Sequence, residues 1–188
     1  MPRSSYTLTL SEAKRMLTAG EAKAASIGIP YNIAVVDAGG ALIAFTRQDG
    51  ALIGSIDLAI GKAVTARIFD KRTSDLAEMA QPGAPLFGIE QSNNGKVVIF
   101  GGGLPVRIDG NIVGAVGTSA GSVEQDIAVA EAAAAASAKP EPFSRGKGHE
   151  SRAHTRLSQA ACLRRHSCSR HPGRRGAGQG GCLRDVSI

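Results

Sequence analysis

The stretch of residues 95–126 constrains the fold of this chain more than any other. Three short apolar runs lie in it, separated by Gly101-Gly102-Gly103, Asp109-Gly110 and Gly121. Apolar runs of this length between glycine-rich turns predict consecutive antiparallel strands, and Asp-Gly favours a tight hairpin turn because both residues tolerate a positive φ. An Ala-rich segment with helical spacing follows over residues 122–138. We therefore expect a three-stranded meander that leads into a helix.

The residues before this meander predict three helices and one further hairpin. Thr9 and Glu12 have the spacing of a capping box, at the start of a helix that Gly28 would end. The other elements are two β-rich runs, a second helix and a short third helix, at residues 32–36, 41–46, 55–69 and from 73 onward. The expected order is αββααβββα. It corresponds to an α+β, profilin-like fold with a five-stranded antiparallel sheet flanked by helices, because no connection is long enough for a parallel crossover.

Charge divides the chain into two parts. Residues 1–139 hold 12 Lys and Arg against 13 Asp and Glu, whereas residues 140–188 hold 10 against 3. The second part lacks apolar periodicity, is rich in Arg, Ser, Gly, His and Pro, and contains every Cys and His of the chain. We interpret residues 1–139 as the folded domain and residues 140–188 as a basic low-complexity tail that is disordered or read out of frame. Such a tail would bind nucleic acid only without sequence specificity.

The composition of residues 1–139 narrows the possible chemistry. Without His or Cys, this domain cannot form a Ser-His-Asp or Cys-His catalytic set, so carboxylate, Lys, Tyr or metal-assisted chemistry remains. Arg47 and Asp49 end a predicted strand just before a helix start at Ser55, where a cation and N–H donors can face one ligand. Glu90 follows a Phe-Gly-Ile anchor and is a candidate for a partly buried acid or base.

Three further groups have a structural interpretation, and the first of them also has a functional one. Gly101-Gly102-Gly103 predicts either a nest of backbone amides for an anion or a bulged hairpin. Lys62 and Arg67 fall on or beside the polar face of a predicted helix and are interpreted as solvated cations. Glu124 and Asp126 lie in the first turn of the last predicted helix, where acidic side chains stabilise the helix dipole.

Four motifs in order resemble one known family. They read Asn-Ile-Ala-Val-Val-Asp-Ala-Gly-Gly, Asp-Gly-Ala-Leu-Ile-Gly-Ser, Gly-Gly-Gly-Leu-Pro and Gly-Ser-Val-Glu-Gln-Asp, at residues 32–40, 49–55, 101–105 and 121–126. Over about residues 7–138 the chain resembles the GlcG/HbpS family of haem-binding and haem-degrading-type proteins, to which the C-terminal domain of PduO is related. The resemblance implies a profilin-like fold, homo-oligomers often described as octamers, and haem, iron or another small anionic ligand.

The resemblance also implies where the ligand binds. The pocket would be bounded by three loops, at residues 39–40, 47–55 and 101–105. Arg47 and Arg107 are candidates to bind a carboxylate or a haem propionate, because a guanidinium offers a planar fork of donors.

Iron and haem place different demands on the side chains. Asp75 and Glu78 match an acidic pair that is linked to iron in the HbpS branch, and carboxylates three residues apart share one face of a helix. Haem iron is usually held by His, Cys, Met or Tyr. The candidates left in residues 1–139 are Tyr and Met side chains, or an oxygen ligand such as a Thr hydroxyl: Tyr6, Tyr31, Met16 and Met79.

Two functions fit these observations. The first is an oligomeric small-ligand-binding protein of GlcG/HbpS type that binds haem, iron or a related anionic ligand. The alternative is an enzyme acting on a small organic acid or aromatic catabolite, in which Arg47 orients a carboxylate and Glu90 or Asp49 carries a proton. The sequence starts without a leader-like apolar run and contains no membrane-length apolar segment, so we expect a cytoplasmic protein without a membrane partner.

Overall fold

The computed structural model describes residues 6–138, and the tail predicted for residues 140–188 lies outside them. The elements in chain order are α1 (Leu10–Ile27), β1 (Asn32–Asp37), β2 (Leu42–Arg47), α2 (Ser55–Ile68), α3 (Thr73–Met79), α4 (Ser92–Gly95), β3 (Gly103–Ile108), β4 (Asn111–Ser119) and α5 (Val123–Ala135). Short 3-10 turns lie at Ile89–Gln91 and Ala136–Ala138. None of the helices within residues 6–138 has the length and apolar character needed to cross a membrane.

The predicted start and end of α1 are confirmed. The Thr9 backbone N–H donates to Glu12 Oε2 at 2.7 Å, and the Glu12 backbone N–H donates to Thr9 Oγ1 at 3.3 Å, which completes the capping box. Gly28 follows the helix with a φ of 79°, in the left-handed region that Gly adopts at low cost.

The described residues form one four-stranded sheet in the order β2-β1-β4-β3, with every neighbouring pair antiparallel. The α+β class and the antiparallel sheet with flanking helices are confirmed. The prediction of five strands is wrong, because the apolar run at residues 97–100 lies outside the sheet. The profilin-like assignment stays a prediction.

The run at residues 97–100 fails to form a strand because it packs on α2 instead of on a strand edge. The Val98 backbone N–H donates to the Thr65 hydroxyl of α2 at 3.0 Å, so a side chain takes the place of a neighbouring strand. A Cβ added to Gly61 of α2 would lie 2.9 Å from Val98 Cγ2, which indicates how closely the two segments approach. Val97 is therefore buried, and Val98 and Ile99 are partly buried, without a strand ladder.

Helices cover both faces of the sheet. Ile33 and Val35 of β1 belong to the apolar cluster that includes residues of α1 and α5. Ala34 and Val36 point the other way and pack with Ala residues of α2, as the alternation of side chains along a strand requires. The sheet thus lies between α1 and α5 on one side and α2 on the other.

The approach of α2 to the sheet depends on small side chains. A Cβ added to Gly117 of β4 would lie 2.1 Å from the Ala59 carbonyl oxygen and 2.4 Å from the Ala63 nitrogen. A Cβ added to Gly103, the Cα partner of Gly117 on β3, would lie 2.5 Å from the Lys62 carbonyl oxygen. The backbone of α2 therefore rests directly on the backbones of β3 and β4.

Candidate functional site

Three polar residues from three strands form a row at one end of the sheet. Asn32 begins β1 and is the Cα partner of both Arg47, which ends β2, and Ser119, which ends β4. Residues directly opposite each other in antiparallel strands project from the same face. Because Ala34 and Gly117 face α2, Asn32 and Ser119 two residues away face α2 as well. We call Arg47, Asn32 and Ser119 the polar row.

The middle residue of the polar row is fully buried and only half satisfied. The side-chain Nδ2 of Asn32 donates to the Leu52 carbonyl oxygen at 2.9 Å, in the turn that leads into α2. Its Oδ1 is buried without a hydrogen-bond partner among the described residues. Ser119 and Ser55, the first residue of α2, are also buried, whereas Arg47 is exposed. A buried acceptor without a donor is uncommon in folded proteins and marks a place where water or a ligand donor fits.

The turn between β2 and α2 brings the start of the helix to this row. The Ala51 N–H donates to the Gln48 carbonyl and the Ser55 N–H donates to the Leu52 carbonyl, while Gly50 has a φ of 84°. No side chain caps the N-terminus of α2 at Gly54. The Ile56 N–H donates to the Ile53 carbonyl, and the first turn of the helix contains Asp57. The turn therefore brings Ser55 to the end of the sheet where Arg47 is the exposed cation.

A buried ion pair lies at the other edge of the sheet. The Lys62 ammonium of α2 and the Asp126 carboxylate of α5 are 2.5 Å apart, with side chains 0% and 4% exposed. Lys62 also donates to the Thr118 carbonyl at 3.0 Å, and its Nζ lies 4.2 Å from the centre of the Phe100 ring. Burial lowers the pKa of Lys62, and Asp126 opposes that shift.

Asp126 is held by the backbone as well as by Lys62. Its Oδ1 accepts from the backbone N–H groups of Ala120 and Gly121, each at 3.1 Å. The interpretation of Lys62 as a solvated cation is wrong, since its side chain is fully enclosed. Asp126 lies in the first turn of α5 as expected, but it also completes a buried network. The spacing of Lys62 between Ala59, Ala63 and Ala66 on the apolar face of α2 is the pattern that could have revealed it.

Lys62 reaches from one helix layer to the other because Gly102 has no side chain. A Cβ at Gly102 would lie 2.8 Å from the Thr118 carbonyl oxygen, 2.9 Å from Asp126 Cβ and 3.0 Å from Lys62 Nζ. Gly102 also has a φ of 112°, which other residues rarely adopt. In addition, the Gly103 N–H donates to the Thr73 hydroxyl at 2.9 Å. The glycine triplet thus makes room for the ion pair, and its role as an anion nest stays a prediction.

The structure brings together only some of the residues predicted for one pocket. Arg47 and Ser55 lie at the same end of the sheet, next to exposed Asp49. Gly103 lies on the opposite edge strand, so three strand spacings, or about 14 Å across the sheet, separate its strand from that of Arg47. Arg107 is exposed near the far end of that same strand.

Three other predicted groups lie on separate segments. The turn at residues 39–40 joins β1 to β2 at the end of the sheet opposite Arg47. Asp75 and Glu78 are both exposed on α3, and residues 6–138 contain no cluster of three or more His, Cys, Asp or Glu that could hold a metal ion. Glu90 is half-buried in the 3-10 turn, and its Oε2 has no hydrogen-bond partner among the described residues.

Tyr31 places an unpartnered polar atom next to the buried pair of Lys62 and Asp126. Its side chain is fully buried, and its hydroxyl has no hydrogen-bond partner within residues 6–138. Burial, followed by the nearby Asp126 carboxylate, raises the pKa of Tyr31 far above its ordinary value of 10.0. Burying a hydroxyl without a partner costs free energy that no hydrogen bond offsets.

We expect Tyr31→Phe to leave the free energy of unfolding within about 0.5 kcal/mol of the parent or to raise it. Because the unfolded chain ionises Tyr31 first, the parent should lose stability as the pH rises above 10.0, and the variant should lack this contribution. Urea unfolding at neutral and alkaline pH measures both effects. The control is Thr118→Val, which removes a hydroxyl that donates to the Asp126 carbonyl at 2.6 Å and should cost about 1–3 kcal/mol. A similar cost for Tyr31→Phe would contradict the assignment of an unpartnered hydroxyl.

Comparison with known proteins places this fold among small α+β domains of known structure. Klebsiella pneumoniae protein ORFY is 36% identical and superimposes with a TM-score of 0.73, covering 74% of this chain and 97% of its own. The PduOC:heme complex is 38% identical with a TM-score of 0.67, covering 69% and 94% of the two chains. A double mutant of Streptomyces reticuli HbpS, with two glutamates three residues apart changed to aspartates, is 31% identical with a TM-score of 0.64, covering 72% and 89%.

Sequence comparison gives the family. The model of the family described as "Haem degrading protein HbpS-like" matches residues 8–135, and the chain belongs to this family. A 15.0 kDa protein from the dhaT-dhaS intergenic region of Citrobacter freundii is 46% identical over 127 residues, which are 68% of this chain and 89% of that protein. The corrinoid adenosyltransferase PduO of Citrobacter freundii is 40% identical over 127 residues, 68% of this chain but only 38% of its own length. The predicted GlcG/HbpS resemblance is confirmed.

Proposed function

We propose that this protein binds haem through its HbpS-like domain. The observation that carries the proposal is the close likeness to PduOC, a domain whose solved structure contains haem and which this chain covers over 94% of its length. A match over nearly a whole domain makes a shared type of ligand the simplest expectation, although fold by itself does not define function.

The surface beside Arg47 has the chemistry that haem requires. Leu52 and Ile53 in the turn before α2 are 62% and 74% exposed, and Leu58 lies one turn into the helix at 36%. Exposed apolar side chains grouped in this way mark binding surfaces. Arg47, in the strand that leads into this turn, is an exposed guanidinium that can pair with a propionate. An apolar plate with charged carboxylates fits such a surface.

The donor set indicates the kind of iron ligand. No His or Cys lies within residues 1–139. Met16 and Tyr31 are fully buried in the core, while Tyr6 is 69% exposed and Met79 is half-buried. The residues therefore fit a haem held mainly by apolar and propionate contacts, with a Tyr or Met side chain or a Thr hydroxyl as the candidate iron ligand. When bound, the group would supply the redox chemistry of its iron, whereas the chain supplies the surface and the charge.

Non-haem iron and self-association belong to the same proposal. Asp75 and Glu78 share one exposed face of α3 and offer two carboxylates to a hard cation. A solved HbpS variant carries substitutions at two glutamates that have the same three-residue spacing, which is a reason to test this pair. The predicted homo-oligomer, with an octamer as the state implied by the resemblance, is measured by light scattering with and without hemin.

We expect the full chain to shift the Soret band of hemin on titration. Arg47→Glu should weaken hemin binding by at least about tenfold, because it replaces a propionate partner with a repelling charge. The matched control is Arg107→Glu, an exposed charge reversal on the opposite edge strand that should leave the affinity unchanged. The absence of a Soret shift in the parent protein would overturn the proposal, and a loss confined to Arg107→Glu would move the site to β3.

The alternative function, an enzyme acting on a small organic acid or aromatic catabolite, has one observation in its favour. The Glu90 carboxylate keeps a buried oxygen without a hydrogen-bond partner among the described residues. A carboxyl group in such surroundings is a candidate acid or base. Of the two predicted proton carriers, Glu90 is the stronger candidate for an acid or base, because it is half-buried whereas Asp49 is exposed.

A further inference from the structure

We propose that the polar row forms a site that binds a small 2-hydroxy carboxylate and shares Arg47 with the proposed haem surface. The inference does not depend on haem binding. It rests on two observations: the unpartnered, fully buried Oδ1 of Asn32, and the exposed guanidinium of Arg47, the Cα partner of Asn32.

The Asn32 side chain determines one half of the ligand. Its Nδ2 is committed to the Leu52 carbonyl, and a flipped amide would bring two oxygens together, so the free group must be the acceptor Oδ1. An acceptor requires a donor from the ligand. A carboxylate oxygen cannot supply one, whereas a hydroxyl can. Carboxylates without a hydroxyl therefore leave Oδ1 unsatisfied.

Arg47 determines the other half. Arg47 is the Cα partner of Asn32, so their Cβ atoms are about 5 Å apart on the same face of the sheet. The guanidinium favours a carboxylate, because it offers a planar fork of donors. Ser119, the Cα partner of Asn32 on β4, adds a buried neutral hydroxyl. A hydroxyl adjacent to a carboxylate gives the short separation that this arrangement needs.

The turn of residues 51–54 covers the site. It places the Leu52 carbonyl on Asn32, while its Leu52 and Ile53 side chains face outward. Gly50, with a φ of 84°, precedes the turn, and nothing lies within 4 Å of a Cβ added to Gly54. The ligand approaches Oδ1 from the exposed Arg47 side, so the bond from Nδ2 to the Leu52 carbonyl is kept.

Calorimetric titration of the full chain with lactate and with propionate tests the proposal, because the two ligands differ only by the hydroxyl. Lactate should bind at least about tenfold more tightly than propionate, the cost of leaving a buried acceptor unpaired. Equal affinity for lactate and propionate, or no heat from either, would overturn the proposal and would indicate that water alone satisfies Oδ1.

Two variants separate the residues. Arg47→Gln, at an exposed position, should weaken lactate and propionate alike by about tenfold. Asn32→Leu should reduce the ratio of the two affinities to about one, and this ratio is read within a single folded variant. If Asn32→Leu does not fold, the parent ratio and Arg47→Gln still decide the outcome. Hemin affinity should be unchanged in Asn32→Leu, so a failure here and a failure of haem binding are distinguishable.

Discussion

Asp126→Ala is expected to lower the free energy of unfolding by about 3–5 kcal/mol. The substitution leaves the Lys62 ammonium enclosed without its counter-ion and removes the acceptor from the Ala120 and Gly121 N–H groups. An uncompensated buried charge is among the few mechanisms that cause so large a loss. Urea unfolding monitored by circular dichroism, with the m value held constant, measures the change.

Glu131→Ala provides the control for this prediction. It removes the partner of Arg72 at 3.0 Å, but both side chains are about half exposed, so the cost should be at most about 1 kcal/mol. Lys62→Met combined with Asp126→Leu removes both charges and should recover the part of the loss that comes from the unpaired ammonium, whereas the Ala120 and Gly121 N–H groups stay without their acceptor. A loss below about 1 kcal/mol for Asp126→Ala would show that the pair is not enclosed as described.

Gly117→Ala is expected to destabilise the fold by about 3 kcal/mol or more, or to prevent folding. The added Cβ would lie 2.1 Å from the Ala59 carbonyl oxygen and 2.4 Å from the Ala63 nitrogen. Both atoms belong to the backbone of α2, so a rotamer change cannot relieve the clash and the whole helix must move. Overpacking of a core usually costs 1–3 kcal/mol, and a backbone clash lies at or beyond the upper end of that range, at about 3 kcal/mol.

Gly54→Ala is the matched control for Gly117→Ala. Nothing lies within 4 Å of a Cβ at Gly54, and its φ of -63° suits any residue. Alanine there should be neutral or should stabilise the protein by up to about 1 kcal/mol, because it restricts the unfolded chain. Thermal unfolding of the two variants separates the effect of the contact from the general effect of replacing Gly with Ala. Similar melting temperatures for both variants would contradict the close approach of α2 to β4.

The local parts of the fold were predictable from the sequence. The capping box at Thr9 and Glu12 and the left-handed Gly28 need only neighbouring residues, and they define α1 correctly. The hairpin turn at Asp109-Gly110 joins β3 to β4 for the same reason: both residues have positive φ values, as that turn requires. Features that depend on spacing within about ten residues are visible in one sequence.

Features that depend on distant residues were not predictable. The run at residues 97–100 has the composition of a strand, but its backbone partner is the Thr65 hydroxyl of a helix. Lys62 was assigned to solvent because a single sequence does not show that Asp126, 64 residues later, lies against it. The strand order also depends on distant residues, since β1 (Asn32–Asp37) pairs with β4 (Asn111–Ser119).

The candidate site was predictable only in part. Arg47 and Ser55 were identified because charge and a helix start lie close together in the chain, and the structure keeps them at one end of the sheet. Asn32 was read as a strand residue, and its unpartnered oxygen appears only when β1 is flanked by β2 and β4. Sequence reasoning therefore found the exposed end of the polar row and missed its buried centre.

The strand order has a consequence for synthesis on the ribosome. β1 lies in the sheet between β2 and β4, so the first hairpin emerges from the ribosome with the edge of β1 that β4 later covers still open. That edge stays unpaired while more than 70 further residues are made, until β4 (Asn111–Ser119) can insert beside it. An open edge strand is a template for pairing with other chains. Slow translation between β2 and β4 would prolong this exposure, and nascent chains that end before Ser119 should be the ones that chaperones retain.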